Sequence, residues 1–360
     1  MKQRAFHAYC RAFTLIELLV VMALLVLLIA IGVPAFGSIL NNNNRTRAQN
    51  DVRFAINAAR DIALQQPAGQ DAAAMFTFEP GGATRIVAYT QAGSTYDIPG
   101  SGFSHNGAPG GGLVRRDVFA PSPLAEPATL PLGWNVRALV TPGRLGRLDW
   151  YDRANRNYET NAANWVFPET GWYNSTQLTD GDDRQSFMVR FAGGTGQLRT
   201  SGGPALMVDP RPVSSARRRV TAPWQNIDQA EDLGVWTRSI LSDPGLSDGL
   251  RRNLIGNVSG DTILAAPITD FGVYQEERLA GKLGVRLDRD TRSLYRQGND
   301  PQLVDGMNAA NITKLNRWMF GDTNLSESFG DEDDRPEASL YTITRSGGDV
   351  VEIPPIEGSD

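Results

Sequence analysis

Residues 12–36 read AFTLIELLVVMALLVLLIAIGVPAF, and the one charge among them is Glu17. The apolar character continues to Leu40, and the 23 residues from Leu18 to Leu40 carry no charge. As a helix rising about 1.5 Å per residue, that run reaches about 35 Å, enough for a hydrocarbon core of about 30 Å. A carboxylate near its start costs about 2.5–3.5 kcal/mol on insertion scales, so Glu17 demands a compensating partner. The leader at 1–12 holds Lys2, Arg4 and Arg11 and no acid. The positive-inside tendency then keeps the leader cytoplasmic and exports the residues beyond the run. A plain membrane anchor accounts for the length but not for Glu17. A secretory signal peptide finds only Val33-Pro34-Ala35 as a small-residue cleavage site, and its apolar region is normally shorter.

The stretch resembles the leader of type IV pilins and type II secretion pseudopilins, whose FTLIE signature is complete here at Phe13, Thr14, Leu15, Ile16 and Glu17. The resemblance implies cleavage by a prepilin peptidase between Ala12 and Phe13, then methylation of the new N-terminus. The family has Gly before the cut where this chain has Ala12. Glu17 becomes the fifth residue of the mature chain. The resemblance gives it a partner: the Phe13 amine of a neighbouring subunit, two costly charges compensating each other and setting axial register. Pro34 also matches the family's membrane-segment proline, which bends or locally melts a helix.

Beyond the apolar run stands NNNNRTRAQNDVRFAINAARDIALQQP (41–67). Ala48, Val52, Ala55, Ile56, Ala59 and Ala63 recur at three- and four-residue spacing, one helical stripe. Pro67 ends it. The spacing predicts a single helix from 13 to about 66, with its second half on a sheet. The Asn run at 41–44 is either a hinge or a solvated polar stretch. AAAMFTFEPGGATRIVAYTQ (72–91) reads as a hairpin about Pro80-Gly81-Gly82. A long helix followed by a hairpin resembles a pilin head, and FAINAARDIALQQ is similar to the helix of the minor pseudopilin H family.

Residues 91–185 are rich in Gly, Pro, Asn and aromatics and predict loops with short strands. QSFMVRFAGGTGQLR (185–199) predicts a strand and turn. Residues 205–335 read as an insertion or subdomain, with helices near 226–242, 247–255 and 311–320 and a strand at DTILAAPI. SLYTITRSGGDVVEI (339–353) is a hairpin turning at Ser346–Asp349, placed to close the sheet of the head. The organisation is a cleaved cytoplasmic leader at 1–12, a transmembrane helix at 13–40 and its amphipathic continuation at 41–66. A pilin-like head at 67–204, the segment 205–335, and a terminal hairpin and tail at 336–360 complete the chain. The fold class is α+β and pilin-like, a long N-terminal helix on an antiparallel sheet with large loop and helical insertions.

Composition narrows the chemistry. The 360 residues carry 35 basic and 40 acidic side chains. An acidic chain whose one tight basic cluster is Arg217, Arg218 and Arg219 is no nucleic-acid surface. The single cysteine, Cys10, precedes the apolar run, so the rest holds no disulfide or thiolate metal site. The two histidines are His7 and His105, too few for a His metal triad, and His105 has no G-x-S-x-G elbow beside it. GAPGGG (107–112) lacks the Gly-Lys-Ser/Thr of a phosphate loop. Asp180, Asp182, Asp183 and Asp331, Asp333, Asp334 form acidic clusters able to supply calcium ligands, although neither fits an EF-hand. Solvated acidic loops are the plainer reading of both. No other cofactor is expected. The seven Trp residues, Trp134 to Trp318, read as core.

The resulting expectation is a non-enzymatic assembly subunit of a type II secretion or type IV pilus-like system. It sits in the inner membrane by one span, its leader cytoplasmic and its head periplasmic or extracellular. Its partners are other pilins through the N-terminal helix, the prepilin peptidase and an inner-membrane assembly platform. The size of the head favours a minor or tip-proximal subunit. Two other readings stay open: an exported, anchored binding protein or enzyme with a borrowed leader, and a DNA-uptake pilin, which the acidic head disfavours.

Overall fold

The computed structural model describes residues 15–79, 83–97, 114–139, 165–166, 185–200, 203–209, 230–255, 262–283, 286–287, 338–345 and 347–353, less the side chains of 31–35, 37–38 and a few others. The chain divides into two units, Met1–Arg47 and Ala48–Asp360. The described part of the first is helix alone.

Helix α1 is Leu15–Gln65, ending within a residue of the predicted limit, while 13 and 14 lie outside the described residues. It runs through the Asn residues at 41–44, which are helical. In the second unit its stripe is buried as the spacing requires. Ala48, Val52, Ala55, Ile56, Ala59, Ile62 and Ala63 all enter the main core. Pro67, with no N–H to give, stops the helix. The backbone N–H of Gly194, from a distant turn, donates to the Ala63 carbonyl in the last turn at 2.9 Å, beside the Gln66 N–H at 3.1 Å. That turn comes close enough that a Cβ on Gly193 would lie 2.1 Å from the Gln70 carbonyl oxygen.

Strands β1 (Ala72–Glu79) and β2 (Ala83–Asp97) are the predicted hairpin, paired from Ala72↔Thr90 to Glu79↔Ala83. Its Pro80–Gly82 turn lies outside the described residues. β3 (Val114–Pro121), β4 (Ala128–Thr129), β7 (Gln185–Phe191), β8 (Ala205–Val208) and β9 (Thr262–Pro267) complete the first sheet. Its order is β1-β7-β9-β8-β3-β2-β4, and β1 also pairs with β2. Six strands therefore close into a ring, with β4 outside it. The period of two assigns each side. Ala72, Ala74, Phe76, Ile86 and Ala88 face α1, whereas Ala73, Met75, Val87 and Tyr89 join Phe119, Met188, Ala205, Met207, Ile263 and Ala265 in a separate cluster. A small ring is filled by its own side chains, and here alanines offset the large Tyr and Phe rings.

The α+β class holds, but the antiparallel sheet expected from the sequence is corrected in two ways. The sheet is closed, and it is mixed, since β3–β8 and β7–β9 run parallel. Parallel neighbours need long crossovers, so hairpin signals do not reveal them. β8 and β9 come from within 205–335.

A second sheet has the order β12-β11-β10-β5-β6. It contains β5 (Trp134–Leu139), β6 (Trp165–Val166), β10 (Asp270–Gln275), β11 (Ser339–Ile343) and β12 (Val350–Ile353). The terminal hairpin is thus real, yet it extends this second sheet rather than closing the first. Its turn brings a backbone amide from Gly348 onto the Thr344 carbonyl at 2.8 Å. Gly348 has φ +67, and a Cβ there would meet Phe191 at 3.0 Å, so both backbone and space require glycine.

Helices α2 (Ala230–Ser242) and α3 (Asp248–Ile255) match two of the predicted helices. α2 lies against β2 so closely that a Cβ on Gly93 would meet Leu241 at 2.9 Å. α4 (Glu276–Leu283) directly follows β10 and is not among the predicted helices. The predicted helix at 311–320 lies outside the described residues.

Candidate assembly site

In the first unit, every described side chain from Leu15 to Ala30 is exposed. Leu15 is 82% exposed, and Leu18, Leu19, Val20, Val21 and Met22 each keep about half of their surface or more. Successive residues turn 100° about a helix. Sixteen consecutive exposed residues therefore leave no side of this cylinder against its own chain. A helix that is apolar all round belongs in a lipid or protein environment. Among the described residues, no helix is long and apolar enough to cross a membrane.

Glu17 stands in the first turn of α1 and is exposed. The positive end of the helix dipole favours a carboxylate there. α1 continues through Pro34, which has no backbone N–H to offer the preceding turn; the Pro34 side chain is not among those described. Ala12, Phe13 and Thr14 lie outside the described residues, as do Cys10, His7, His105 and the Arg217–Arg219 cluster. The same holds for the calcium candidates Asp180, Asp182, Asp183, Asp331, Asp333 and Asp334. Among the described residues, no group of three or more His, Cys, Asp or Glu is placed to hold a metal ion.

The second unit contains charge constellations that sequence reasoning missed. Asp71, just before β1, is buried beneath Arg190, whose Nε donates to it at 2.7 Å. Arg199 reaches the same carboxylate at 3.1 Å, and the Gly193 amide donates to its other oxygen at 3.2 Å. Arg190 also binds Asp117 at 2.6 Å. One guanidinium thus ties β1, β3 and β7. Its fork and two carboxylates satisfy the geometry that makes a buried charge tolerable.

A second constellation lies between β5, β10 and α4. Thr84 donates through its hydroxyl to Asn135 Oδ1 at 2.9 Å, and Asn135 Nδ2 donates to Glu276 at 2.8 Å. Nε of Arg137, a residue only 1% exposed, donates to the Tyr274 hydroxyl at 2.7 Å. Burial pushes the Tyr274 phenol well above its ordinary value of 10.0; Arg137 pulls against that and Glu276 adds to it. These groups are directed at one another across strands. They tie β2, β5, β10 and α4 to one another.

Residues 7–33 match the prokaryotic N-terminal methylation motif. The chain therefore carries a type IV pilin-like leader, of a kind processed by a prepilin peptidase in pilin-type exported proteins that assemble with other pilins. No curated protein and no solved structure matches the chain.

Proposed function

We propose that this chain is a pilin-like assembly subunit, of the minor or tip-proximal kind, in a type II secretion or type IV pilus-like machine. The observation that carries the reading is the helical cylinder of residues 15–30, exposed on every side and apolar but for Glu17, lying wholly within a methylation motif at residues 7–33. Such a surface needs surroundings that its own chain does not supply. In this reading, Leu18–Leu40 rests in the inner membrane before assembly and bundles with the equivalent helices of other subunits afterwards. The head is displayed on the far side as a surface for partners. Its role is structural, without catalysis.

Glu17 is the register element. After cleavage, the Phe13 amine of one subunit meets Glu17 of the next, and the pair compensates both charges. Glu17→Ala then leaves an amine buried without its partner, a loss of about 3–5 kcal/mol. At 1.4 kcal/mol per factor of ten, assembly falls by a hundredfold or more. The test measures cleavage by mobility shift and incorporation by pull-down in the same strain. The reading expects Glu17→Ala and Glu17→Gln to be cleaved yet fail to co-purify with partner pilins. Normal incorporation of Glu17→Ala would favour a plain membrane anchor instead.

A further inference from the structure

We propose that Asn41–Arg47 forms a lipid-headgroup collar in which Arg45 and Arg47 hold the phosphates of anionic lipids in the leaflet nearest the head. The inference rests on the membrane reading of Leu18–Leu40 and adds a ligand to it.

Asn42 to Arg47 are all exposed, and six consecutive helical positions cover every side of the axis. Between Glu17 and Asp51, the only charges are Arg45 and Arg47. Thr46 donates its hydroxyl to the Asn42 carbonyl at 3.0 Å, so it turns inward to its own helix. The charged part of that exposed surface is the two arginines, beside the Asn amides.

The helix is continuous here, so Arg45 and Arg47 lie about 7.5 and 10.5 Å beyond Leu40 along the axis. The interfacial layer on each side of a bilayer is about 5–8 Å deep, and phosphates lie within it. Long arginine stems bend to reach that level. An apolar cylinder, a neutral amide ring and a cationic ring thus succeed one another in the order hydrocarbon, glycerol-ester zone and phosphate.

Direction decides the kind of partner. Positions i and i+2 point about 200° apart on a helix, so Arg45 and Arg47 leave from opposite sides. One docked protein face engages one of them. Lipids surround the helix and engage both. A guanidinium presents five donors in a planar fork suited to phosphate oxygens, which leaves capacity for lipid beside any contact on the protein. The collar would hold the subunit at fixed depth and resist its withdrawal during assembly.

The test reconstitutes the full chain into phosphatidylcholine vesicles, with and without phosphatidylglycerol. Flotation with the vesicles reads insertion. Electron spin resonance of spin-labelled phosphatidylglycerol and phosphatidylcholine then reads lipid preference. The collar predicts a preference for phosphatidylglycerol that falls about fivefold for each of Arg45→Gln and Arg47→Gln at low salt. Lysine variants should keep most of it, added salt should weaken it, and Arg115→Gln on β3, with the same charge change, should leave it intact. A chain that floats without any such preference, or an Arg45→Gln/Arg47→Gln variant that keeps it, overturns the collar alone. If that variant keeps the lipid preference but no longer co-purifies with partner pilins, the arginines belong to a subunit contact. A chain that does not float at all overturns the membrane reading, and the collar with it.

Discussion

Leu19 and Ile56 are large apolar side chains of the same helix, yet Leu19 is 61% exposed and Ile56 is fully buried. Around Ile56, small and branched residues recur every three or four positions and Phe54, Asn57 and Asp61 face outward. Around Leu19, Glu17 is the one polar position between Leu15 and Phe36. The first pattern commits the helix to a partner in its own chain. The second commits it to something else. One helix thus serves two environments, and periodicity rather than mean hydropathy tells them apart.

The strongest way to break the contrast is to attack the charge that anchors the head. Asp71→Asn removes the carboxylate that Arg190 and Arg199 share. Removing one side of a buried pair costs about 3–5 kcal/mol. Urea unfolding of the full chain in mild detergent should show that loss. An unchanged midpoint would mean that Asp117 alone suffices for Arg190.

A matched pair of truncations compares the two halves of α1 directly. Ile56→Ala should cost about 2–5 kcal/mol in the same unfolding assay, from lost burial and the cavity left behind. Leu19→Ala should leave the head's stability unchanged. Equal effects at both positions would erase the distinction between the halves.

Tyr274→Phe is smaller. It strips Arg137 Nε of a buried acceptor, a loss of about 1–3 kcal/mol. It also carries a pH signature. Burial raises the folded phenol above its unfolded value of 10.0. Its contribution is therefore fully present below about pH 10 and is lost as pH rises beyond it. The wild-type chain should lose stability more steeply on that alkaline limb than the Phe variant. Smallest of all is Asp349→Asn, which breaks a 3.1 Å pair with Arg60 in which Asp349 is largely exposed. Exposed pairs are worth about 1 kcal/mol or less, so its midpoint should barely move.

The legible parts of this molecule are those written in local sequence. The Ala48–Ala63 stripe, the Pro67 stop and the hairpins at 72–91 and 339–353 each signal themselves within one short stretch of chain. Ring closure does not. It depends on β3 meeting β8 and β7 meeting β9 in parallel, and no turn connects those pairs. The buried charges are hidden for a related reason. In WNVRAL, alternation places Asn135 and Arg137 on what reads as a wet face. Tyr274 and Glu276, from far along the chain, cover that face and supply the polar partners. Asp71 looks like an ordinary residue before a strand, because its partner Arg190 stands 119 positions away. At the assembly end the reverse holds. The leader motif is fully legible, and its Ala12–Phe13 junction is a chemical expectation that folding does not test.

That junction offers the most direct test of the account. The chain should be expressed with a prepilin peptidase, extracted from membranes and its N-terminus determined by mass spectrometry. The account requires the mature chain to begin at Phe13 and to carry a methyl group on its amine. A chain beginning at Met1 would contradict processing altogether. One beginning at Phe36 would replace the pilin-type reading with a secretory signal peptide cut after Ala35.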